Sequence, residues 1–350
     1  MAIFARTFRT GLVLGTLAAA VVTTGAFAEA DRSDGQTLKD TLKRGAVNCG
    51  VNVGLPGFSK KDDKGNWSGF DVDICRAVAA AIFNDPTKVN FTPLDNNQRL
   101  KALQDRTVDI LSRNTTWSMS REVDYGLTFA AVSYYDGAGF MLRRSRNVDS
   151  ALELAGTRIC VQSDTTTQLN VADYFRVNNM TYDEMKFGNV ADLLKAYEAG
   201  QCDVLTTDTS QLYAYRQAFA KPEEHVILAD IISKEPLAPV VRQRDDQWAL
   251  IVKWTVYAML NAEELGVSSQ NVDEALKSKK PDVMRLVGTE GNFGEKLGLT
   301  NDWAARVIRH VGNYGEVFER NVGLGSNLAI PRGLNQLWNA GGIQYAPPIR

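Results

Sequence analysis

The chain has 350 residues, of which 39 are Lys or Arg and 41 are Asp or Glu, so its formal net charge is −2. This weakly acidic balance excludes binding to nucleic acid or anionic lipid that depends on a positive surface, and it favours small molecules or proteins as partners. The length is too great for one ordinary core and suits two.

The first 28 residues have the features of a signal peptide. Arg6 and Arg9 precede an apolar run at residues 11–22, and residues 26–28 provide the small side chains that signal peptidase accepts. A membrane anchor is the alternative, but the run is short for a bilayer about 30 Å thick. We therefore predict cleavage after Ala28, which leaves 322 residues with a net charge of −4. The secreted protein is expected in the periplasm.

Short apolar runs then alternate with helical patterns, which predicts an α/β fold. Residues 46–51 are typical of a strand, and residues 71–82 are typical of a helix. Between them, residues 64–66 (Lys-Gly-Asn) indicate a hairpin turn.

A repeated segment indicates two similar lobes. Residues 100–103 and 109–112 recur as residues 194–197 and 203–206, with a constant offset of 94 residues. Each copy predicts a helix, a polar turn and a strand that ends in a hydroxyl-rich loop; chance similarity between two common units is the alternative. Because ligands bind outside the carboxyl ends of strands in open α/β sheets, both loops are expected to face one cleft.

The region after residue 236 carries two longer helical patterns, at residues 248–262 and 302–318. The tail that begins at Gly323 is rich in Gly and Asn. We expect this tail to wrap over a lobe rather than to form a core of its own.

The four cysteines agree with export to an oxidising compartment. Cys49 lies on the first predicted strand and Cys75 on the helix that follows, whereas Cys160 and Cys202 lie on two predicted strands of the second lobe. This placement predicts the disulfides Cys49–Cys75 and Cys160–Cys202, one in each lobe, with four buried thiols as the alternative. No C-x-x-C motif is present, so we predict no zinc site.

The loop after residues 109–112 combines hydroxyl groups with an arginine. A guanidinium offers a planar fork for two parallel hydrogen bonds to a carboxylate, which suits Arg121, and Thr116 can add a hydroxyl and an amide. The alternative is a capped helix start with Arg121 in solvent. The spacing alone does not decide between the two.

Two loops of the second lobe complete a set of polar groups. Residues 162–168 join a predicted strand to a predicted helix, whose start can bind an anion, although Thr165 or Thr166 can also simply cap it. Asp208 ends the repeated strand, where it can accept from an ammonium group or cap the helix near Ser210. An arginine, a helix start and an acid together match a zwitterion.

With these residues the chain resembles the polar amino-acid-binding proteins of bacterial ABC importers, bacterial solute-binding protein family 3. The resemblance extends over the mature chain to about residue 265, and it is carried by residues 69–73, 109–121 and 203–208. The chain is most similar to the general L-amino-acid-binding members, with which it shares the phrases at residues 65–67, 112–117, 134–137, 291–294 and 340–348.

The resemblance implies a role for each loop. Arg121 would bind the α-carboxylate of an amino acid, assisted by Thr116 and by the amides of Thr165–Thr166. Asp208 would accept from the α-ammonium group beside the Asn114 carbonyl.

The same resemblance places the pocket for the ligand side chain at Asn52, Leu55 and Phe58. Members that bind cationic ligands have an acid and an aromatic residue where this chain has Asn52 and Leu55. An uncharged pocket cannot form an ion pair with a basic side chain, so we expect broad specificity.

The resemblance also implies a type II periplasmic-binding-protein fold, with two lobes, a ligand cleft between them, and crossing strands near residues 136–140 and 234–239. The first lobe would comprise residues 30–137, and residues 138–235 would form the second. Residues 236–350 would return to the first lobe and add a C-terminal extension. Free L-amino acids would be the ligands and inner-membrane ABC permease subunits the partners of a monomer without cofactors.

An enzyme on the same fold, such as a cyclohexadienyl dehydratase, is the strongest alternative, because a fold does not settle function. That chemistry needs a general acid facing the ligand side chain. Asn52, Leu55 and Phe58 provide none, so we predict that the chain is not an enzyme. A receptor ectodomain is a further alternative, but no second long apolar run follows the signal peptide.

Overall fold

The computed structural model describes Ala2 and residues 35–350. The predicted signal peptide, residues 1–28, and its cleavage site therefore lie outside the described residues apart from Ala2.

The described part of the chain alternates strands and helices. The strands are β1 (Val47–Asn52), β2 (Lys60–Lys61), β3 (Trp67–Ser68), β4 (Val89–Leu94), β5 (Ile110–Leu111), β6 (Leu127–Phe129), β7 (Tyr134–Asp136), β8 (Ala138–Arg143), β9 (Arg158–Gln162), β10 (Asp183–Phe187), β11 (Val204–Asp208), β12 (His225–Ile227), β13 (Glu235–Leu237) and β14 (Val240–Arg242). The helices are α1 (Gln36–Arg44), α2 (Phe70–Phe83), α3 (Arg99–Gln104), α4 (Met119–Tyr125), α5 (Thr166–Val177), α6 (Val190–Glu198), α7 (Thr209–Ala218), α8 (Asp246–Glu264), α9 (Val272–Ala275), α10 (Pro281–Val287), α11 (Phe293–Leu297), α12 (Trp303–Val311) and α13 (Tyr314–Asn321). Five short 3₁₀ helices occupy Arg144–Arg146, Ala151–Glu153, Pro222–Glu224, Gly333–Asn335 and Trp338–Ala340.

Two five-stranded sheets of the same design form the two lobes. The first has the strand order β4-β1-β5-β14-β6 and the second has the order β10-β9-β11-β8-β12. In each sheet three parallel strands are followed by antiparallel pairing, through β14 in the first and through β8 in the second. The repeated segments fall on α3 and β5 in one lobe and on α6 and β11 in the other. This equivalence confirms the α/β, two-lobed fold expected from the sequence.

A separate pair of strands joins the lobes. β7 and β13 pair antiparallel, with Asp136 opposite Glu235. The chain leaves the first sheet after β6, passes through β7 into β8 of the second sheet, and returns through β13 to β14. The predicted crossings near residues 136–140 and 234–239 fall beside this pair, and the lobe boundaries at residues 137 and 235 stay predictions.

The core of the first lobe forms around α2, which is buried on nearly every side. Its alanines and the small side chains around them allow α8, α12 and α13 to pack closely. A helix that is apolar all round belongs in a core rather than at a surface. The predicted helix at residues 302–318 is wrong in one respect, because it is two helices. Gly312 adopts φ +97° and Asn313 caps the second helix with its side chain.

The C-terminal tail wraps over the first lobe, as expected, and contacts β7. The side chain of Asn335 donates to Tyr135 O at 3.0 Å and accepts from Tyr135 N at 2.7 Å. Farther along, Gln344 donates to Ser133 O, and Pro347 O accepts from Asn261 on α8.

Both predicted disulfides are present, one in each lobe. Cys49 pairs with Cys75 at a Cα–Cα distance of 6.3 Å, and Cys160 pairs with Cys202 at 5.7 Å. Residues 35–350 contain no cluster of His, Cys, Asp or Glu side chains arranged to hold a metal ion. Among the helices of these residues, none has the length and apolar composition needed to cross a bilayer.

Candidate functional site

A narrow cavity lies between the two lobes. It sits at the carboxyl ends of β1, β9 and β11, which is where open α/β sheets bind ligands. The first lobe lines it with Asn52, Asn96, Arg99, Arg113, Asn114, Thr116 and Arg121. The second lobe lines it with Gln162, Thr165, Thr166, Thr167, Val190, Thr207, Asp208, Gln211 and Tyr215.

A buried acid shapes the loop after β5. The Asp71 carboxylate accepts from Asn114 N at 3.0 Å and from the Ser112 hydroxyl at 3.4 Å. Asn114 has φ +37°, and its side-chain oxygen accepts from the Asn52 amide at 3.0 Å. Burial raises the pKa of Asp71 to about 7, although the hydrogen bond from Asn114 N lowers it. The loop therefore depends on an acid that the sequence showed only as part of a helix start.

Arg121 is buried at the cavity wall. Arg121 as a whole residue is 8% exposed, and its Nη1 donates to Thr116 O at 2.7 Å. Burial lowers the pKa of Arg121, while the nearby carboxylates of Glu235 and Asp208 raise it. The alternative of an arginine in solvent is therefore wrong. The guanidinium lines the cavity, and its hydrogen bond to Thr116 O fixes one of its edges.

The start of α5 faces the cavity from the second lobe. Thr165 caps the helix by accepting from Gln168 N at 3.2 Å, and it donates to Gln162 O at 2.8 Å. The first amides of a helix have no partner within it, so the N–H groups of Thr166 and Thr167 remain unpaired by the helix and carry its positive end. The Thr165 cap uses Gln168 N, so it leaves the N–H groups of Thr166 and Thr167 available at the cavity.

Asp208 occupies the cap position of α7 but does not cap it. Its side chain makes no capping bond and accepts instead from the Gln211 amide at 2.8 Å. Asp136 supplies the cap from β7 by accepting from Ser210 N at 3.3 Å. Burial raises the pKa of Asp208 well above its ordinary value, and the nearby acids Asp136 and Glu235 raise it further. The capping alternative for Asp208 is wrong, and the carboxylate is left for the cavity.

Glu235 is a functional candidate that the sequence did not reveal. It is fully buried at the start of β13 and accepts hydrogen bonds from both lobes. One carboxylate oxygen accepts from the hydroxyls of Thr116 and Thr166, and the other accepts from Asn170 at 2.6 Å and Ser233 at 2.9 Å. The sequence around Glu235 gives no local sign of a site, because only the pairing of β13 with β7 brings this residue between the lobes.

Two arginines of the cavity wall were also missed. Arg113 donates through Nε to Leu94 O at 2.8 Å, and burial lowers its pKa to about 10. Arg99 begins α3 and is 5% exposed. Arg113 lies in the hydroxyl-rich loop after β5, so its position could have marked it as a site residue. Nothing in the sequence around Arg99 marks that residue in the same way.

Comparison with known proteins identifies the family. Residues 47–271 match the model of the bacterial extracellular solute-binding proteins, family 3. The chain belongs to this family. The resemblance seen in the sequence is thereby confirmed.

Relatives cover nearly the whole of this family 3 protein. It is 56% identical to the General L-amino acid-binding periplasmic protein AapJ of Rhizobium johnstonii, over 97% of this chain and 99% of that protein. It is 47% identical to the Glutamate/glutamine/aspartate/asparagine-binding protein BztA of Rhodobacter capsulatus, over 96% of this chain and 98% of that protein. A solved periplasmic binding protein from Brucella ovis with glutathione bound is 54% identical, with a TM-score of 0.88, and the match covers 90% of this chain and 99% of that one. This family 3 protein is thus a periplasmic solute-binding component of ABC transport and not an enzyme.

Seven predicted site residues of this solute-binding protein meet at the cavity, namely Asn52, Asn114, Thr116, Arg121, Thr165, Thr166 and Asp208. Leu55 and Phe58 do not line it. Both are buried in the core, where the Phe58 ring lies 5.4 Å from that of Tyr134. Phe58 O accepts from Asp71 N at 3.0 Å, next to Gly69, where a Cβ would lie 2.2 Å from Phe58 O. Both side chains therefore lie in the core of the first lobe and not at the cavity wall.

Proposed function

We propose that this solute-binding protein captures free L-amino acids of varied side chain and delivers them to inner-membrane ABC permease subunits. The observation that carries the proposal is the presence of opposite charges within one cavity between the lobes. Arg121 and the start of α5 offer donors to a carboxylate, and Asp208 offers an acceptor to an ammonium group. The names of AapJ and BztA point to the same ligand class.

The role of each residue follows from the hydrogen-bond donors and acceptors that it presents to the cavity. Arg121, with Thr116 and the amides of Thr165–Thr166, would bind the α-carboxylate. Asp208 would accept from the α-ammonium beside Asn114. Asn52 would contribute to the side-chain pocket, where an uncharged amide tolerates ligands of different type.

Ligand binding would stabilise the closed arrangement of the lobes. An amino acid that contacts Arg121 in one lobe and Asp208 in the other binds the closed form better than the open one. Closure then provides the surface that a permease distinguishes from the free protein. A single chain presents both halves of the site, so a monomer suffices.

The test uses truncated ligands with ligand-stripped protein. L-Alanine is expected to raise the melting temperature, because it binds only the native state, whereas propionate and ethylamine, each with half of the zwitterion, are expected to have little effect. Equal shifts with propionate and alanine would remove Asp208 from the proposed role.

A second test removes the arginine. Arg121→Met is expected to weaken L-alanine binding by about 3–5 kcal/mol, which is about two to four decades in Kd, because it breaks one half of a buried ion pair. Arg176→Met is the matched control, since the Arg176 side chain is 78% exposed. Isothermal titration calorimetry measures both, and an unchanged Kd in Arg121→Met would contradict the assignment.

A further inference from the structure

One edge of the two-stranded ribbon of β7 and β13 is left open by the partner strand. Tyr135 of β7 lies opposite Pro236 of β13. Pro236 has no backbone N–H, and its carbonyl accepts from Trp117 N at 2.8 Å rather than from β7. In an antiparallel pair, every second set of opposite residues makes no hydrogen bonds across the strands. The N–H and C=O of Tyr135 therefore point outwards from the ribbon.

Asn335 of the C-terminal tail bonds to both of these groups with one side chain. Its Nδ2 donates to Tyr135 O at 3.0 Å, and its Oδ1 accepts from Tyr135 N at 2.7 Å. A carboxamide carries the same donor and acceptor as a peptide group, so Asn335 acts here as one residue of a third strand. Asn335 as a whole residue is 4% exposed, which leaves water little access to these bonds.

Contacts with the first lobe fix the position of Asn335. Arg332 donates to Asn335 O through Nε at 3.2 Å and through Nη2 at 2.9 Å, and it pairs with Glu263 of α8 at 3.1 Å. The Arg332 guanidinium also lies over the rings of Tyr314 and Phe318 in α13, at 5.2 and 5.0 Å from their centroids. Asn335 thus holds β7 to α8 and α13 of the first lobe.

Tyr135 is followed directly by the residue that leaves Asp208 available to a ligand. Asp136 accepts from Ser210 N at 3.3 Å and so caps α7, while the Asp208 carboxylate lines the cavity. A shift of β7 would move Asp136 away from Ser210 N. Asp208, which already occupies the cap position, would then bond to the first amides of α7, as an N-cap aspartate ordinarily does. The hold on β7 therefore reaches the cavity through Asp136.

We propose that Asn335 is a positioning residue for ligand capture. It fixes β7 to the first lobe, keeps Asp136 on the start of α7, and so keeps Asp208 available to an ammonium group. Asn335 lies beyond residues 47–271, the part of the chain that matches the family model, so the C-terminal extension supplies this hold. The inference rests on the proposed amino-acid function for its ligand, but its effect on α7 exists without one.

The first test follows the start of α7 in ligand-free protein. The Ser210 amide has no partner within α7, so its protection depends on Asp136. Asn335→Leu removes both bonds to Tyr135 at nearly constant volume. We expect it to speed amide hydrogen exchange at Ser210 by about 10-fold or more, because exchange reports local opening.

Gln344→Met is the comparator from the same buried network. Gln344 donates to Ser133 O and to the Tyr314 hydroxyl, but Tyr314 still donates to Ser133 O at 2.9 Å without it. This variant is expected to lower the melting temperature while exchange at Ser210 stays within about threefold of wild type. General loosening of the tail is thereby distinguished from release of β7.

The second test measures L-alanine binding by calorimetry. Asn335→Leu is expected to weaken binding by about 10-fold, as for the loss of one helix cap, and Asp136→Ala at least as much. Added to Asp136→Ala, the change Asn335→Leu is expected to cost less than about threefold, because both act on one path. Asn339→Leu, at an exposed position of the same tail, is the control and is expected to leave the Kd unchanged.

A second variant serves if Asn335→Leu melts too low to measure. Asn335→Asp keeps the acceptor for Tyr135 N but loses the donor to Tyr135 O, and the Arg332 guanidinium beside it favours the new charge. Exchange at Ser210 and the Kd for L-alanine are expected to lie between those of wild type and Asp136→Ala. Wild-type values of both would overturn the proposal.

The outcomes separate this inference from the proposed function. Unchanged exchange at Ser210 in Asn335→Leu would overturn the inference, as would equal losses of L-alanine affinity from Asn335→Leu in wild type and in Asp136→Ala. A wild-type protein that binds no L-alanine would overturn the amino-acid function, whereas faster exchange at Ser210 would still support the hold on α7. Faster exchange together with a non-additive loss of affinity supports both.

Discussion

At the scale of single residues, the site depends on which of two aspartates caps a helix. Asp136 accepts from Ser210 N, at the start of α7, so Asp208 is released from the role that its position favours. Burial together with two neighbouring acids then raises the pKa of Asp208 above that of an ordinary carboxyl group. Such an arrangement favours a cationic partner, because the ammonium group of a ligand stabilises the ionised form.

We therefore expect the affinity for L-alanine to fall at low pH. In the ligand-free protein the raised pKa keeps Asp208 protonated at pH values where ordinary aspartates are ionised, and a bound ammonium group requires its ionised form. Binding then releases a proton below that pKa, so the affinity is full above it and is lost as the pH falls through it. Asp136, Glu235 and Arg121 are the charged groups that face Asp208 and set this range.

Calorimetry from about pH 8 to about pH 5, in two buffers of different ionisation enthalpy, measures both the Kd and the released proton. Asp208→Asn is expected to bind weakly with no pH dependence. Equal L-alanine affinity in wild type and Asp208→Asn would show that Asp208 is not the ammonium partner.

At the scale of elements, the start of α2 positions one side of the site. Gly69 has φ +132°, and the segment before it approaches so closely that Phe58 O would lie 2.2 Å from a Cβ. This contact sets the position of Asp71, which in turn holds Asn114 in the loop after β5. A packing constraint in the core is thereby transmitted to the cavity wall.

Gly69→Ala is expected to lower the free energy of unfolding by on the order of 3 kcal/mol, because it combines a backbone clash with an unfavourable φ. It is also expected to weaken L-alanine binding through displacement of Asp71. Gly188→Ala is the control, since nothing lies within 4 Å of a Cβ there. Urea denaturation and calorimetry test both effects, and an unaltered Gly69→Ala protein would show that the contact is readily relieved.

At the scale of the whole molecule, Glu235 links the lobes at the strands that join them. Its two oxygens accept four hydrogen bonds, from Thr116 in the first lobe, from Thr166 and Asn170 in the second, and from Ser233. These bonds hold the lobes together around the cavity. Separation of the lobes would break those that cross between them.

Glu235→Gln replaces one acceptor oxygen with an NH₂ group, which would face the donors that now bond to that oxygen. The substitution is therefore expected to destabilise the closed form. Because this acts on closure, we expect L-alanine and L-glutamate to weaken by the same factor, on the order of 10-fold. Glu198→Gln, at an exposed position, is the control. Calorimetry gives the two affinities and small-angle scattering follows closure; a loss confined to one ligand would place Glu235 in side-chain recognition instead.

Much of the fold was predictable from local pattern. The buried strand β1, the helix α2 and the repeated helix and strand in each lobe follow from apolar periodicity, which needs no knowledge of distant contacts. The two disulfides followed from the placement of four cysteines on these elements. The loops after β5, β9 and β11 were predictable as a site because strand ends of an α/β sheet converge.

The rest depended on contacts between residues far apart in the chain. The pairing of β7 with β13 places Glu235 between the lobes, and Asp136 on β7 caps α7 in place of Asp208. Leu55 and Phe58 are buried in the core instead of lining the cavity, and the fold brings Arg99 to the cavity wall. The sequence by itself determined the lobes, the disulfides and the polar loops, because those features follow from the spacing and the types of residues along the chain. Only the tertiary structure decided which charges meet, because burial and partnership arise when separate elements pack.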